Sequence, residues 1–297
     1  MNPNVFIIIL NWNGKKDTLE CLSSLKKIYY KNYKIVLVDN GSKDDSVKEI
    51  KKNFPSVEII KNKKNLGFSE GNNVGIRYAL KNEADYVLLL NNDTIVYKDF
   101  LKKMIGEAEK NEQIGIIGPK IYYYSKPKIL WFSGGMINYK KGLFTHIGQN
   151  KKDSKEYSHL GNVDYITGCA MLIKKSVIKS IGLLDPKYFA YFEDIDYCIR
   201  AKKAGYGIRL VPEAKIKHKV SSSSGGEENP LKTYYKNRNI LLFMKKHSPR
   251  KAIFSFFLHF FKDKAIEIAI LTIKRKTACI KAILRGIYDG LTHKIDS

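Results

Sequence analysis

The sequence predicts an α/β fold in which helices cover both faces of a mostly parallel sheet. Short apolar runs alternate with longer segments of helical period through the first half of the chain. Such alternation is typical of βαβ units, whose strands are parallel. With 297 residues, of which 44% are hydrophobic, the chain is long and apolar enough to bury a sizeable core.

The first ninety residues give the clearest elements. Apolar runs predict strands over 5–10, 35–38, 57–60 and 87–90, and the segments between them predict helices over 15–28, 44–53 and 69–82.

The rest of the chain is less regular. The pattern loosens over 114–164, where 150–158 is predicted to be an exposed loop. A strand is predicted over 164–173, helices over 175–180 and up to Lys203, and a strand over 208–211 that Pro212 closes. A flexible polar segment, 221–230, is expected to separate this part from a helical tail.

Polar loops follow the predicted strands. Ligands of parallel α/β sheets bind at the carboxyl ends of the strands, so we expect these loops to converge on one crevice. The alternative is that Asn, Asp, Gly and Ser are ordinary turn formers. The loops are Asn11-Trp12-Asn13-Gly14, Asp39-Asn40-Gly41-Ser42, Asn65-Leu66-Gly67-Phe68 and Asn91-Asn92-Asp93.

Two residues could contribute to binding a divalent metal ion. Asp93 follows a buried strand, where a carboxylate can hold Mg²⁺ or Mn²⁺ together with a substrate diphosphate. Its alternative role is to cap the next helix or turn. His218, which follows the strand and Pro212, could reach a metal or phosphate, or be a surface residue.

Three carboxylates, Glu193, Asp194 and Asp196, follow the aromatic run 188–192. Apolar neighbours and mutual repulsion raise carboxyl pKa values, whereas a helix N-terminus lowers them. A raised pKa suits a general base, and we assign that role to Asp194. Asp196 is expected to form an intrahelical ion pair with Arg200 instead.

Composition and motifs narrow the function. The sequence has neither a GxGxxG nor a P-loop motif, which argues against dinucleotide oxidoreduction and P-loop phosphoryl transfer. Four scattered cysteines without a CxxC pair indicate neither a zinc site nor a disulfide framework, so we expect a reducing compartment. A net charge of +24 favours anionic partners.

With these residues taken together, the sequence resembles glycosyltransferase family 2, particularly its inverting, rhamnosyltransferase-like branch. The matching blocks occur in family order at 5–14, 37–42, 65–75, 88–93, 168–175, 182–200, 218–221 and 234–239. The resemblance implies a GT-A fold over 1–230, with a nucleotide-sugar half to about residue 95 and an acceptor half over 96–230. Residues 231–297 would then form a basic amphipathic helical tail.

The resemblance also implies roles for individual residues. Asp39 would contact the donor's base, Asp194 would be the general base with Glu193 beside it, and Asp93 matches the metal-binding Asp of the DxD motif. Asn91 replaces the first Asp of that motif, so Mg²⁺ or Mn²⁺ would depend on Asp93, with His218 in reach. The remaining donor-binding residues would be Asn11, Trp12, Asn13, Asn40, Gly41, Ser42, Asn65, Gly67, Gly71, Asn72 and Asn92.

The implied reaction moves a hexose, with rhamnose one candidate, from a nucleoside-diphosphate sugar to a hydroxyl of a saccharide or lipid-linked saccharide. One alternative is a nucleic-acid-binding protein, given the +24 charge and 19 tyrosines. We do not expect it, because the sequence lacks an RNP-type motif, a zinc finger and a basic recognition helix. Another alternative is a catalytically silent glycan-binding relative, against which the intact Asp93 and Asp194 argue.

The tail suggests a membrane surface as a partner. Eleven basic and two acidic residues lie between Lys245 and Arg285, among many aromatic and aliphatic ones. Basic amphipathic helices bind anionic membrane interfaces, so we expect a cytoplasmic enzyme that docks peripherally on the inner face of the cell membrane. The alternative is that these helices pack on the catalytic domain with a solvated basic face. Charges interrupt 252–273, so a spanning helix is not expected.

Overall fold

The computed structural model describes residues 2–157, 161, 163–220 and 229–292, and within them the strands form a nine-stranded mixed sheet and a two-stranded sheet of β8 and β9. The strands are β1 Val5–Asn11, β2 Tyr33–Asp39, β3 Glu58–Lys61, β4 Tyr86–Asn91, β5 Thr94–Val96, β6 Ile114–Tyr123, β7 Leu130–Phe132, β8 Gly135–Asn138, β9 Leu143–His146, β10 Ala170–Lys174 and β11 Gly207–His218. The α-helices are α1 Lys15–Leu25, α2 Ser46–Asn53, α3 Gly67–Lys81, α4 Phe100–Ala108, α5 Lys175–Ile181, α6 Glu193–Lys203, α7 Pro230–His247, α8 Arg250–Ile273 and α9 Thr277–Thr292.

The sheet runs in the order β3-β2-β1-β4-β10-β6-β11-β5, with β7 paired to β6. Strands β3, β2, β1 and β4 are parallel to one another, and so are β6 and β11, whereas β10, β5 and β7 run antiparallel to their neighbours. The register places Asn11 beside Asp39 and Leu10 beside Asn91. The carboxyl ends of β1, β2 and β4 therefore lie level, and the polar loops that follow them start at one edge.

Apolar residues fill the interior of the central strands. Strands β1 and β4 consist almost wholly of buried Val, Ile, Leu, Phe and Tyr, as expected for parallel strands that are covered on both faces. The predicted strands and helices of the first ninety residues are all present, with ends shifted by a few residues.

Three strands, β6, β10 and β11, differ from the sequence prediction. Strand β11 does not end at Pro212 but continues to His218, because the pairing with β6 shifts register between Val211 and Lys215. Such a bulge accommodates Pro212, which has no backbone N–H to donate to the neighbouring strand. Strand β6 lies where the pattern seemed loose, and the strand predicted from residue 164 begins only at Ala170. Most of the predicted flexible segment, 221–228, lies outside the described residues.

The chain divides into two compact units. The first comprises Met1–Gly135, His146–Phe189 and Glu193–Ser223, and it contains the large sheet. The second comprises Met136–Thr145, Ala190–Phe192 and Ser224–Ser297.

Within the second unit, α9 packs closely along α7. A Cβ atom on Gly286 would lie 2.6 Å from the carbonyl oxygen of Tyr234, and one on Gly290 would lie 2.8 Å from that of Arg238. Glycine at both positions therefore permits the close approach of the two helices. Over the described part of the chain, none of the helices has the length and apolar character needed to cross a membrane.

Candidate active site

Asn11, at the end of β1, is the centre of a buried hydrogen-bond network. Its Nδ2 lies 3.0 Å from Asp39 Oδ1, 3.1 Å from Ser42 Oγ and 2.9 Å from Ser46 Oγ, and its Oδ1 accepts from Thr18 Oγ1 at 2.8 Å. Asn11 is fully buried, and its amide joins the tips of β1 and β2 to helices α1 and α2. Thr18 and Ser46 were not predicted, because nothing in their own sequence surroundings distinguishes them.

The loop after β1 joins the same network. The backbone N–H of Asn13 donates to Ser42 Oγ at 2.9 Å, and Asn13 itself has a φ of 52°, in the left-handed region. Asn92 reaches back to α1, where its Nδ2 donates to Thr18 Oγ1 at 2.9 Å. Trp12 is 45% exposed, so its indole is open to solvent beside this network.

A second network connects β2 to the start of α3. Asn40 Nδ2 donates to Asn65 Oδ1 at 2.9 Å and to the carbonyl oxygen of Gly67 at 3.1 Å. Gly71, one turn into α3, faces Asn40, whereas Asn72 donates to the carbonyl oxygen of Phe68 in its own helix. Gly41 and Gly67 both adopt positive φ, of 78° and 80°.

The predicted metal ligands Asp93 and His218 are adjacent and buried. Nε2 of His218 lies 3.0 Å from Oδ1 of Asp93. The two atoms are not aligned as a hydrogen bond, so Asp93 Oδ1 has no hydrogen-bond donor among the described residues. The other ring nitrogen of His218, Nδ1, also has no hydrogen-bond partner there. An unpartnered buried carboxylate oxygen beside an imidazole suits a divalent cation such as Mn²⁺. No group of three or more His, Cys, Asp or Glu side chains arranged for a metal occurs in the described residues.

Two further residues contact this pair, and sequence reasoning missed both. The His218 ring packs edge-to-face against the indole of Trp131, with 4.6 Å between the ring centroids. The backbone N–H of Lys219 donates to the carbonyl oxygen of Asp93 at 3.0 Å. Its Nζ is paired with Asp17 and Glu20 of α1, at 2.7 and 2.8 Å.

Asp194 and Glu193 lie in the first turn of α6. Asp194 is half-buried, and its carboxylate accepts from the backbone N–H groups of Gly168 and Ile195, each at 2.8 Å. Burial raises the pKa of Asp194, and these hydrogen bonds limit the rise. Burial and then the charge of Asp194 raise the pKa of Glu193 well above its usual value.

Asp196 has the structural role that the sequence predicted. It is fully buried, and its Oδ2 lies 2.8 Å from Nε of Arg200. The ion pair thus confirms that expectation, and it leaves Glu193 and Asp194 as the two carboxylates of this turn without a basic partner in the same helix.

The two residues before β10 connect the two acidic positions. The N–H of Gly168 donates to Asp194, and the carbonyl oxygen of the next residue, Cys169, accepts at 2.9 Å from the N–H of Asn91, the last residue of β4 and two residues before Asp93. The pKa of the buried Cys169 thiol is raised by desolvation and by the charges of both Asp93 and Asp194. Both carboxylates therefore lie near one short segment, Gly168–Cys169.

Comparison with known proteins assigns the chain to a family. The sequence profile of Glycosyl transferase family 2 matches residues 6–182, more than half of the chain. The chain belongs to glycosyltransferase family 2. The glycosyltransferase activity predicted from the sequence is thereby confirmed.

Several similar proteins are named as rhamnosyltransferases. The dTDP-rhamnosyl transferase RfbF of Shigella flexneri is 25% identical over 98% of this chain and 96% of its own length. The N-acetylglucosaminyl-diphospho-decaprenol L-rhamnosyltransferase of Mycobacterium tuberculosis is 25% identical over 74% of this chain and 78% of its own. Rhamnosyltransferase WbbL of Escherichia coli is 28% identical over 70% and 80%. The predicted resemblance to the rhamnosyltransferase-like branch is confirmed.

Solved structures of glycosyltransferases have the same fold. The mannosyltransferase PcManGT from Pyrobaculum calidifontis, in complex with GDP-Man and Mn²⁺, superposes with a TM-score of 0.60 at 12% identity, over 98% of this chain and 88% of its own. GalNAc-T7 with UDP, GalNAc and Mn²⁺ gives a TM-score of 0.60 at 17% identity, over 73% of this chain and 43% of its own. The predicted α/β class with a GT-A fold is confirmed. The comparisons agree with sugar transfer from a nucleotide donor and give no support to the nucleic-acid-binding or glycan-binding alternatives.

Proposed function

We propose that this family 2 glycosyltransferase moves a hexosyl group, with rhamnose the first candidate, from a nucleoside-diphosphate sugar to a hydroxyl of a saccharide or lipid-linked saccharide. The observation that carries the proposal is that two carboxylates from distant parts of the sequence, Asp93 and Asp194, both lie near Gly168–Cys169. One carboxylate faces the donor's diphosphate and the other faces the acceptor.

Asp194 acts as the general base in this proposal. Its carboxylate takes the proton of the acceptor hydroxyl while that oxygen attacks the anomeric carbon from the side opposite the diphosphate, so the configuration inverts. Burial raises the pKa of Asp194 and makes it a stronger base, while the N–H groups of Gly168 and Ile195 fix its orientation. Because the base must be ionised, we expect transfer to weaken as the pH falls through this raised pKa.

Asp93 and His218 would hold a divalent cation, Mg²⁺ or Mn²⁺. The unpartnered Oδ1 of Asp93 and the adjacent imidazole fit that role, and the relatives solved with Mn²⁺ support the choice of metal. When bound, such an ion neutralises charge on the departing diphosphate. Asn91 supplies no carboxylate, so a bound cation would depend on Asp93 and His218 from the protein and would need donor phosphates and water as its other ligands.

The donor pocket combines the two networks at the strand tips. Asp39 and Ser42 are held in place by Asn11, and Asn40 holds the start of α3, so the pocket is organised before the nucleotide binds. We assign to it Asn11, Trp12, Asn13, Asp39, Asn40, Gly41, Ser42, Asn65, Gly67, Gly71, Asn72 and Asn92.

The experiment that tests this proposal replaces Asp194 with Asn. We expect sugar transfer to fall by at least ~100-fold, since a positioned base contributes about 10²–10⁴-fold, with donor affinity unchanged. Transfer is measured with dTDP-, UDP- and GDP-sugars in the presence of Mn²⁺, and donor binding by calorimetry. Asp164→Asn, which removes a partly exposed carboxylate paired with Lys202, is the matched control. Near-normal transfer by Asp194→Asn would refute the assignment of the base.

We also propose that the C-terminal helices dock on an anionic membrane surface, where a lipid-linked acceptor is found. Phe254, Leu258 and Phe261 of α8 are 75%, 58% and 47% exposed. Their spacing of four and three residues places them on one face of the helix. Exposed basic residues occur in α8, in α9 and in the link between these two helices, namely Arg250, Lys251, Lys262, Lys274, Arg275, Lys276, Lys281 and Arg285.

A further inference from the structure

The chain enters α6 through an aromatic segment, Tyr188–Phe192, with an unusual backbone. Phe189, Tyr191 and Phe192 have φ values of 61°, 69° and 76°. Residues other than glycine rarely adopt this left-handed region, because their Cβ atom clashes with the backbone there. Such conformations persist only where the surrounding structure holds them. Glu193 follows directly, so this backbone sets the direction in which the chain begins the helix that carries Asp194.

Asn239 of α7 holds the backbone of this segment. Ala190–Phe192 and α7 belong to the same compact unit, the second one. Asn239 is fully buried, and its Nδ2 donates to the carbonyl oxygens of Ala190 at 2.8 Å and Tyr191 at 2.7 Å. The two amide hydrogens thus bind consecutive carbonyl groups of the strained segment.

The orientation of the Asn239 amide is fixed by its neighbour. Nε of Arg238 donates to Asn239 Oδ1 at 2.8 Å, so the oxygen faces Arg238 and the NH₂ group faces the segment. The Arg238 guanidinium in turn lies over the rings of Tyr234 and Tyr235, 5.7 and 4.9 Å from their centroids.

Aromatic rings of the same unit hold the side chain at the end of the segment. The Phe192 ring meets Phe144 edge-to-face with 4.8 Å between centroids, and it lies 5.9 Å from the ring of Phe243. These ring contacts involve the Phe192 side chain and not its main chain. The hydrogen bonds from Asn239 are directional, and they bind the main chain itself.

The geometry points to Asn239 as a positioning residue for Asp194: by binding the carbonyl groups of Ala190 and Tyr191, it fixes the turn that delivers the base to the acceptor hydroxyl. The inference rests on the proposed role of Asp194. A general base must stand within hydrogen-bond reach of its proton, and a displacement of about 1 Å can cost ~100-fold in rate. The donor-pocket residues lie at the tips of β1, β2 and β4 and in or just before the first turns of α3, in the first compact unit. We therefore expect loss of the Asn239 side chain to change kcat more than the affinity for the nucleotide.

The test compares Asn239→Ala with Asn237→Ala. Asn237 lies on the same helix and is also buried, but its Nδ2 donates to the carbonyl oxygen of Thr233 in its own helix, at 2.8 Å. We expect Asn239→Ala to lower kcat for transfer by about 100-fold with KM for the donor unchanged. Asn237→Ala should keep a kcat within a few-fold of the wild type. Asn239→Ser, whose hydroxyl can bind one carbonyl group, should be intermediate, and it replaces the Ala variant if that one does not fold.

Further measurements separate positioning from stability and from failure of the base assignment. Thermal unfolding midpoints of both Ala variants report the structural cost. In an Asp194→Asn background, Asn239→Ala should cause no additional loss of kcat, because its effect acts through Asp194. Equal losses of kcat in Asn239→Ala and Asn237→Ala, or a full further loss in the Asp194→Asn background, would overturn the inference. High activity of Asp194→Asn alone would instead refute the base while leaving the Asn239 comparison interpretable.

Discussion

At the scale of single residues, Glu193 and Asp93 are the two acidic groups of the described site that are not fully hydrogen-bonded. Each is buried and has a carboxylate oxygen without a hydrogen-bond partner among the described residues, Oε2 in Glu193 and Oδ1 in Asp93. A native protein keeps such groups where function compensates for their cost. The two carboxyl groups differ in what they would gain: a proton satisfies Glu193, and a cation satisfies Asp93.

Glu193→Gln should stabilise the protein at neutral pH. Because the folded state raises the pKa of Glu193, it binds that proton more tightly than the unfolded state does. The stability contributed by this proton is complete below the usual carboxyl pKa of 4.5 and is lost as the pH rises through the folded-state pKa. Each pKa unit of the shift corresponds to about 1.4 kcal/mol.

Urea unfolding at several pH values should show that the free energy of unfolding of Glu193→Gln depends less on pH than that of the wild type. The exposed Glu112→Gln should behave like the wild type, and an equal slope for Glu193→Gln would contradict the prediction.

Asp93→Asn should weaken metal binding. The substitution keeps the shape of the side chain but removes the negative charge that we assign to the cation. We expect the affinity for Mn²⁺ in the presence of a nucleoside diphosphate, measured by electron paramagnetic resonance of free Mn²⁺, to fall at least ~10-fold. Asp99→Asn, which removes an exposed carboxylate near β5, serves as the control. Unchanged Mn²⁺ affinity would exclude Asp93 as a ligand.

At the scale of elements, the same type of substitution should have opposite effects in two helices. Gly286 of α9 has no room for a Cβ atom against α7, whereas nothing lies within 4 Å of a Cβ on Gly106 of α4. Gly286→Ala should therefore destabilise the chain by about 1–3 kcal/mol through overpacking. Gly106→Ala should stabilise it by roughly 0.5–1 kcal/mol, because alanine favours a helix interior. Denaturant unfolding of both variants measures the sign, and a gain in stability for Gly286→Ala would show that α7 and α9 are not packed as described.

The elements also show how far the sequence determines the fold and the site. Strands β1, β2 and β4 were predictable because each is a local apolar run that ends in polar residues. The full length of β11 was not, because its bulge at Pro212 depends on pairing with β6, which lies far away in sequence. The same limit applies to the site. Asp93 and Asp194 stand out locally, whereas the roles of Gly168 and Asn239 consist of contacts with distant segments.

At the scale of the whole molecule, the positive charge and the exposed apolar face of α8 should act together at a lipid surface. The chain carries a net charge of +24, and each Lys or Arg near an anionic surface contributes ~1 kcal/mol. A docking surface that combines both terms is sensitive to salt and also to loss of its apolar residues.

Co-sedimentation with vesicles that contain anionic lipids tests this surface. We expect the protein to bind at low salt, to bind less at high salt and to ignore purely zwitterionic vesicles. Replacing Phe254 and Leu258 with Ser should reduce binding several-fold, whereas Leu143→Ser, at a residue that is 45% exposed in strand β9, should not. If the wild-type protein stays in the supernatant with anionic vesicles at low salt, the docking proposal is wrong.

The second unit is assembled from three segments that lie far apart in the sequence, so it can form only late in synthesis. The hairpin of β8 and β9 packs Tyr139 and Phe144 against Phe243, yet α7 leaves the ribosome long after the hairpin does. At a synthesis rate of ~5–20 residues per second, the rings of Tyr139 and Phe144 remain without Phe243 for several seconds. Nascent chains halted before α7 should therefore recruit chaperones and aggregate more readily than finished ones, and slower translation should lower the yield of active enzyme.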